Sequence, residues 1–94
     1  MSNLLSLSIL NNAYEGESLH FHDGGFPNLK ELFITELPNL NSIVIEKGAL
    51  HSLKKFELSC IPNLETLPAG IQYLKNLEVL NVWDVPFAEF YPKL

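Results

Sequence analysis

The sequence predicts an α/β solenoid, in which each coil adds one short strand to a parallel sheet on the concave face and returns through an irregular or 3₁₀-like arm. A Leu-x-x-Leu-x-Leu-like hexad occurs four times, starting 24 or 25 residues apart at Leu4, Leu29, Leu53 and Leu77. Proline recurs at the tenth position of the last three coils, and apolar residues recur in phase along the arms between hexads. We therefore expect residues 1–94 to form one repeat array.

The hexads indicate strands that end at fixed places. Residues two apart in a strand face the same side, so Leu32 with Ile34, and Leu80 with Val82, should point into one interior. Each of the last three hexads is followed by a proline, which cannot donate a ladder hydrogen bond: Pro38, Pro62 and Pro86. We expect strand pairing to stop just before these prolines.

The return arms should close the core against the strands. Glycine and proline interrupt them at Gly48 and 68–70, which favours irregular or 3₁₀-like turns over long helices. The first arm, which has no proline at its tenth position, should be longer and looser. A single β-α-β or helical domain is the alternative architecture, but it does not explain a hydrophobic phase kept through three periods.

Several segments of the chain resemble the repeats of a known protein family. The segment Leu53-x-x-Phe56-x-Leu58-x-Cys60-Ile61-Pro62-Asn63-Leu64-x-x-Leu67-Pro68-x-Gly70-Ile71-x-x-Leu74-x-Asn76-Leu77 resembles the leucine-rich repeats of plant intracellular nucleotide-binding disease-resistance proteins, the coiled-coil type in particular. The segments 25–32 and 43–50 are similar to the same repeats, and the resemblance covers residues 4–87. One departure is the ninth position, where many repeat families place a turn-satisfying asparagine: it is Asn only at Asn12, and is Leu37, Ile61 and Val85 afterwards.

The resemblance implies a role in pathogen recognition. In such receptors the repeat array senses an effector, or a host protein that the effector alters, and restrains the nucleotide-binding module until then. The chain has no Gly-x-x-x-x-Gly-Lys-Ser/Thr loop, so we expect it to bind no nucleotide. The repeat pattern predicts no pocket with converging polar groups, so we also expect no cofactor and no enzymatic activity. The alternative is a generic intracellular leucine-rich-repeat scaffold that binds a host signalling protein.

The amino-acid composition limits the kinds of partner that the chain is expected to bind. The net charge is −5 and there is no arginine, which disfavours nucleic acid and anionic membranes. A single cysteine, the absence of an Asn-x-Ser/Thr sequon and the absence of a basic n-region predict a cytoplasmic location. The apolar tail after Pro86 has no polar capping repeat, so we expect a fragment of a longer array that is either marginally stable or self-associates through its ends.

The strand residues between the inward positions should form an open protein-binding face. Aromatic residues beside charges suit such a face, because aromatic side chains are enriched among energetic anchors of interfaces. The predicted site residues are Glu31, Phe33, Thr35, Lys55, Glu57, Ser59, Val79, Asn81 and Trp83. The alternative is that Phe33 and Trp83 merely cover the edge of a short sheet. Carboxylates on this face, such as Glu31 and Glu57, should be solvated and not catalytic.

Two further groups carry chemistry-bearing side chains. His20 and His22 have the spacing that puts two imidazoles on one side of an extended segment, but His51 is the only other histidine and no further ligand is evident. We therefore expect a solvated loop and no metal. Cys60 precedes an inward Ile61, which indicates a small buried or half-buried thiol and not a nucleophile.

Overall fold

The structure, a computed structural model, describes residues 4–10 and 15–86. The six strands are β1 Ser6–Leu10, β2 Ser18–Phe21, β3 Glu31–Thr35, β4 Ser42–Ile45, β5 Lys55–Ser59 and β6 Val79–Trp83, and a short 3₁₀ helix spans Ile71–Tyr73. They form a four-stranded sheet in the order β1-β3-β5-β6 and a two-stranded sheet of β2 and β4. All pairs are parallel, so the predicted solenoid of stacked coils is confirmed.

The strands of the four-stranded sheet pair in the register that the repeat predicts. Leu7 lies opposite Leu32, which lies opposite Phe56, which in turn lies opposite Leu80. After the strands the ladder gains one more bond, in which the Glu36 N–H donates to the Ser59 carbonyl. Two residues later comes the proline, which has no N–H to donate. Strand pairing therefore ends just before each proline, as predicted.

A left-handed residue turns the chain at the end of three strands. Glu36, Cys60 and Asp84 have φ values of 57°, 54° and 55° and lie 24 residues apart. This region is costly for residues with a Cβ, by about 1–2 kcal/mol. Two of these side chains are carboxylates and the third is a thiol, so no single residue type marks the turn in the repeat.

The core lies between the strands and the arms. Strand residues such as Leu32 and Phe56 pack with arm residues such as Leu40 and Leu64, and all four are fully buried. Within residues 4–10 and 15–86, every buried side-chain nitrogen or oxygen has a hydrogen-bond partner. In the same ranges, no helix is long and apolar enough to cross a membrane.

The first two arms each contain a β-strand, which corrects the prediction of irregular or 3₁₀-like turns there. β2 and β4 lie within them and pair from Ser18 opposite Ser42 to Phe21 opposite Ile45. The cause is a period of two in each arm, Leu19 with Phe21 and Ile43 with Ile45, which turns alternate side chains toward the core. The expected looseness of the first arm is wrong for its described part.

The third arm contains the predicted 3₁₀ turn. The chain reaches it through Ala69, whose carbonyl accepts a hydrogen bond from the Ile45 N–H at 2.7 Å and whose N–H donates to Ile43 at 2.8 Å. Gly70 follows with φ of 91°, and a Cβ there would overlap the Ile45 carbonyl oxygen. Only glycine fits so close to the neighbouring coil.

Asparagines elsewhere in the repeat satisfy the turn backbone. The Asn63 side chain donates to the Pro38 carbonyl at 2.8 Å, and the Asn76 side chain donates to the His51 carbonyl at 2.9 Å. Each bond joins a coil to the one before it. Asn63 is the eleventh residue of its repeat, and Asn76 directly precedes a hexad. Asparagines at these two positions therefore bond to turn carbonyls in a chain that mostly has no asparagine at the ninth position. Asn12 lies outside the described residues, as does the tail from Phe87.

Candidate protein-interaction surface

The outward residues of the four-stranded sheet form three rows across adjacent strands. Register places them in the order predicted from the repeat: Glu31, Lys55, Val79; then Phe33, Glu57, Asn81; then Thr35, Ser59, Trp83. Residues between them in each strand point inward, because side chains alternate across a strand. The nine predicted residues therefore lie together on one face, which we call the open face.

One predicted member does not reach solvent. Ser59 is 1% exposed, and its hydroxyl donates to the Thr35 hydroxyl at 2.7 Å. The hydroxyl pair satisfies both side chains inside the row, so Ser59 offers a partner no surface. We therefore remove Ser59 from the candidate site as a correction, and the eight other residues are half-buried or exposed.

The last strand carries the largest exposed apolar groups of the face. Trp83 is 55% exposed and Val79 is 42% exposed. Leu10, at the opposite end of the row that contains Trp83, is also exposed. A tryptophan held on a strand loses little conformational freedom on binding, which suits it to anchor an interface.

The charges of the open face are mostly negative. Glu31 and Glu57 lie within it, and Glu36 and Asp84 follow its strands. Lys55 is the one cation among the predicted residues, and its ammonium lies 5.5 Å from the centre of the Phe33 ring. This distance allows a cation–π contact, so Phe33 is partly covered by Lys55 and is less available than Trp83.

The thiol at the end of β5 is not activated. Cys60 is half-buried, as predicted, and its pKa is raised chiefly by burial and then by the hydrogen bond and negative charge of Asp84. A raised pKa lowers the fraction of thiolate, which is the nucleophilic form. The surroundings of Cys60 therefore do not favour nucleophilic catalysis.

A second group of side chains meets on the two-stranded sheet. His20 and His22 both lie against the carboxylate of Glu46, and the ligand atoms of the three residues lie within 4.8 Å of one another. The pKa of Glu46 is lowered, first by the hydrogen bond from the Asp23 N–H and then by those from the two imidazoles. Sequence reasoning found the histidines but missed Glu46. The available signal was the period, because Glu46 stands 24 residues after His22. The expected solvated loop is also corrected, because His20 lies in strand β2.

Comparison with curated proteins finds plant relatives. The chain is 42% identical over 79% of its length to disease resistance protein RPM1 of Arabidopsis thaliana. It is 30% identical over 84% of its length to disease resistance RPP8-like protein 3, and 30% identical over 81% to the probable disease resistance protein RF45, both of the same plant. The chain spans only 8–9% of the length of these three relatives.

No protein-family model matches the chain, and no solved structure matches it significantly. The stacked parallel strands and the plant relatives nevertheless agree with each other and with the resemblance drawn from the sequence. The chain is thus a homologue of plant nucleotide-binding disease resistance proteins and corresponds to a segment of their leucine-rich-repeat region.

Proposed function

We propose that the chain is a protein-interaction module of the plant defence response that contributes to effector recognition or to restraint of a nucleotide-binding module. The open face supports this proposal most directly. It presents Trp83 and Val79 to solvent beside carboxylates, on strand β6, which pairs along its whole length with β5. The relatives supply the defence context. We further propose a cytoplasmic location, a single array over residues 1–94, and no catalytic role.

The partner should offer a basic patch next to an apolar pocket. The carboxylates of Glu31 and Glu57 would meet the basic patch, and Trp83 would enter the pocket. Charges of opposite sign steer two proteins together and raise the association rate, an effect that salt screens. We therefore expect binding to weaken as the salt concentration rises.

A substitution at Trp83 tests the proposal. Trp83→Ala should weaken capture of the partner from extract of pathogen-challenged leaves by at least about 10-fold, because loss of an interface anchor costs about 2 kcal/mol or more. The matched control is Tyr73→Ala, since Tyr73 is an exposed aromatic in the 3₁₀ helix and lies off the open face. Bound proteins are quantified by mass spectrometry, and melting temperatures are measured in parallel.

Three outcomes decide the matter. Selective loss of an effector, a guarded host protein or a nucleotide-binding module with Trp83→Ala supports the proposal. Selective loss of an unrelated host signalling protein supports the scaffold alternative instead. Equal capture by Trp83→Ala and wild type, or a fall in binding that merely follows a fall in melting temperature, contradicts the open face as the site.

A further inference from the structure

We propose that His20, His22 and Glu46 form a binding site for a divalent transition-metal ion, of which Zn²⁺ is the one we would test. The site lies on the two-stranded sheet, so it is separate from the open face and does not rest on the proposed function. It links two coils, since both histidines come from the first coil and the glutamate comes from the second.

The fold brings the two imidazoles together. Phe21 lies between the two histidines in the chain and is buried, at 4% exposed, so its neighbours point to the opposite, outer side. The rings of His20 and His22 stack with their centres 4.3 Å apart and their planes within 13°. The i, i+2 spacing therefore presents both rings on one side, as extended backbone requires.

Glu46 completes the group because it directly follows β4. Its N–H donates to the Phe21 carbonyl at 2.9 Å, which continues the pairing of the two strands by one residue. Its Oε2 lies 2.8 Å from His20 Nε2 and 3.3 Å from His22 Nδ1. The third ligand atom thus comes from the neighbouring strand and not from the histidine loop.

The separations are close to those of a coordination shell. A tetrahedral Zn²⁺ with bonds of about 2.0–2.2 Å sets its ligand atoms roughly 3.3–3.6 Å apart. Glu46 Oε2 lies 2.8 Å from His20 Nε2 and 3.3 Å from His22 Nδ1, and all three ligand atoms lie within 4.8 Å of one another. Because the two rings are stacked nearly parallel, the imidazoles would rotate out of the stack to turn both nitrogen lone pairs toward the ion. The exposed position leaves the fourth ligand to water.

The carboxylate is held in place from behind. Glu46 Oε1 accepts a hydrogen bond from the Asp23 N–H at 2.9 Å, so Oε2 is directed toward the histidines. The turn that carries Asp23 is itself anchored, with the Gly25 N–H donating to His22 at 2.8 Å and the Gly24 N–H donating to Gly48 at 3.2 Å. Such outer contacts orient metal ligands and raise affinity.

The donor set indicates the kind of ion. Two imidazole nitrogens and one carboxylate oxygen suit Zn²⁺, Cu²⁺ or Ni²⁺, whereas Mg²⁺ and Ca²⁺ prefer oxygen ligands alone. The competing interpretation is that His20 and His22 both form surface hydrogen bonds or ion pairs with Glu46 and hold no ion. It uses the same three side chains, and only the metal interpretation predicts binding of one Zn²⁺ per chain that depends on all three.

Isothermal titration calorimetry of ZnCl₂ into the intact chain tests the proposal. We expect one ion per chain, at least about 10-fold weaker binding in His20→Gln, His22→Gln and Glu46→Gln, and no comparable binding of Mg²⁺. The matched control is His51→Gln, because His51 is exposed and lies outside the group. A second readout is melting temperature, which Zn²⁺ should raise in wild type and not in Glu46→Gln.

Two results would overturn the proposed metal site. The first is the absence of binding heat when Zn²⁺ is titrated into the wild-type chain. The second is a Zn²⁺ affinity that the three variants retain, or that His51→Gln lowers to the same degree. Either pattern would show nonspecific binding of Zn²⁺ to the surface. The side chains of His20, His22 and Glu46 are all partly exposed, so the folded state should survive their replacement, and circular dichroism of each variant verifies this.

Discussion

The inner strands β3 and β5 and the outer strands β1 and β6 carry the same alternation of residues, yet their burial differs. Leu32 and Ile34 of β3 are fully buried. The matching Leu80 and Val82 of β6 are only partly buried, as is Leu7 of β1. The hexad therefore decides which way a side chain points, whereas the presence of a coil on each side decides whether it leaves water.

The third row of the open face shows the same contrast in polar residues. Inside the sheet the row holds Thr35 and Ser59, whose hydroxyls satisfy each other. At its ends it holds Leu10 and Trp83, which are exposed. Small hydroxyls can pack between strands when they are paired, while the outer strands can carry large apolar groups because nothing in the sheet covers them.

The largest expected effect comes from truncating the inner core. Phe56→Ala should lower the free energy of unfolding by about 3–5 kcal/mol, because Phe56 is fully buried and its truncation leaves a cavity in the core. Leu80→Ala, at the matching position of the outer strand, should cost under about 2 kcal/mol since the side chain is already partly in water. Urea unfolding followed by circular dichroism measures both. Equal losses would break the comparison between inner and outer strands.

An intermediate effect is expected at the buried hydroxyl pair. Ser59→Ala should cost about 1–2 kcal/mol, because it removes the hydrogen bond that the buried Ser59 hydroxyl donates to Thr35. The control is Ser42→Ala, whose hydroxyl donates to Ser18 at 3.0 Å in an exposed setting and should change stability by less than about 0.5 kcal/mol. The same urea titration applies. A larger cost at Ser42 would mean that the two-stranded sheet, and not the inner row, is the more sensitive region.

The smallest effect concerns the contact between β5 and the turn after β6. Burial and Asp84 raise the pKa of Cys60, so the thiolate fraction at pH 8 is lower than in the unfolded chain. Alkylation by iodoacetamide should therefore be slower in the folded chain than in urea, and Asp84→Asn should speed it up. Glu31→Gln, a charge removal that does not act on this thiol, is the control. An unchanged rate in Asp84→Asn would show that the outer coil does not influence the thiol.

The repeat predicted the four-stranded sheet and its rows because it reports directly on side-chain direction. It did not predict β2 and β4, because the alternation of Ile43 with Ile45 is as compatible with an irregular arm as with a strand until a second copy pairs with it. Glu46 was missed for a related reason. In the sequence, a single glutamate after a strand does not indicate a metal ligand. Only the stacking of the coils brings Glu46 next to His20 and His22. Ser59 was placed on the open face correctly, but its burial depended on the fit of Thr35 beside it.

Taken alone, the sequence determined the spacing of the strands, the direction of their side chains and the end of each strand, because period, alternation and proline act locally. The tertiary structure decided which inward residues are truly buried, which asparagines satisfy the turns, and which histidines meet a carboxylate. Those outcomes depend on atoms about one repeat apart in the chain. Asn63 bonds to Pro38 across 25 residues, and Asp23 bonds to Glu46 across 23 residues. Stacking brings such atoms within hydrogen-bonding distance, and no local pattern encodes that distance.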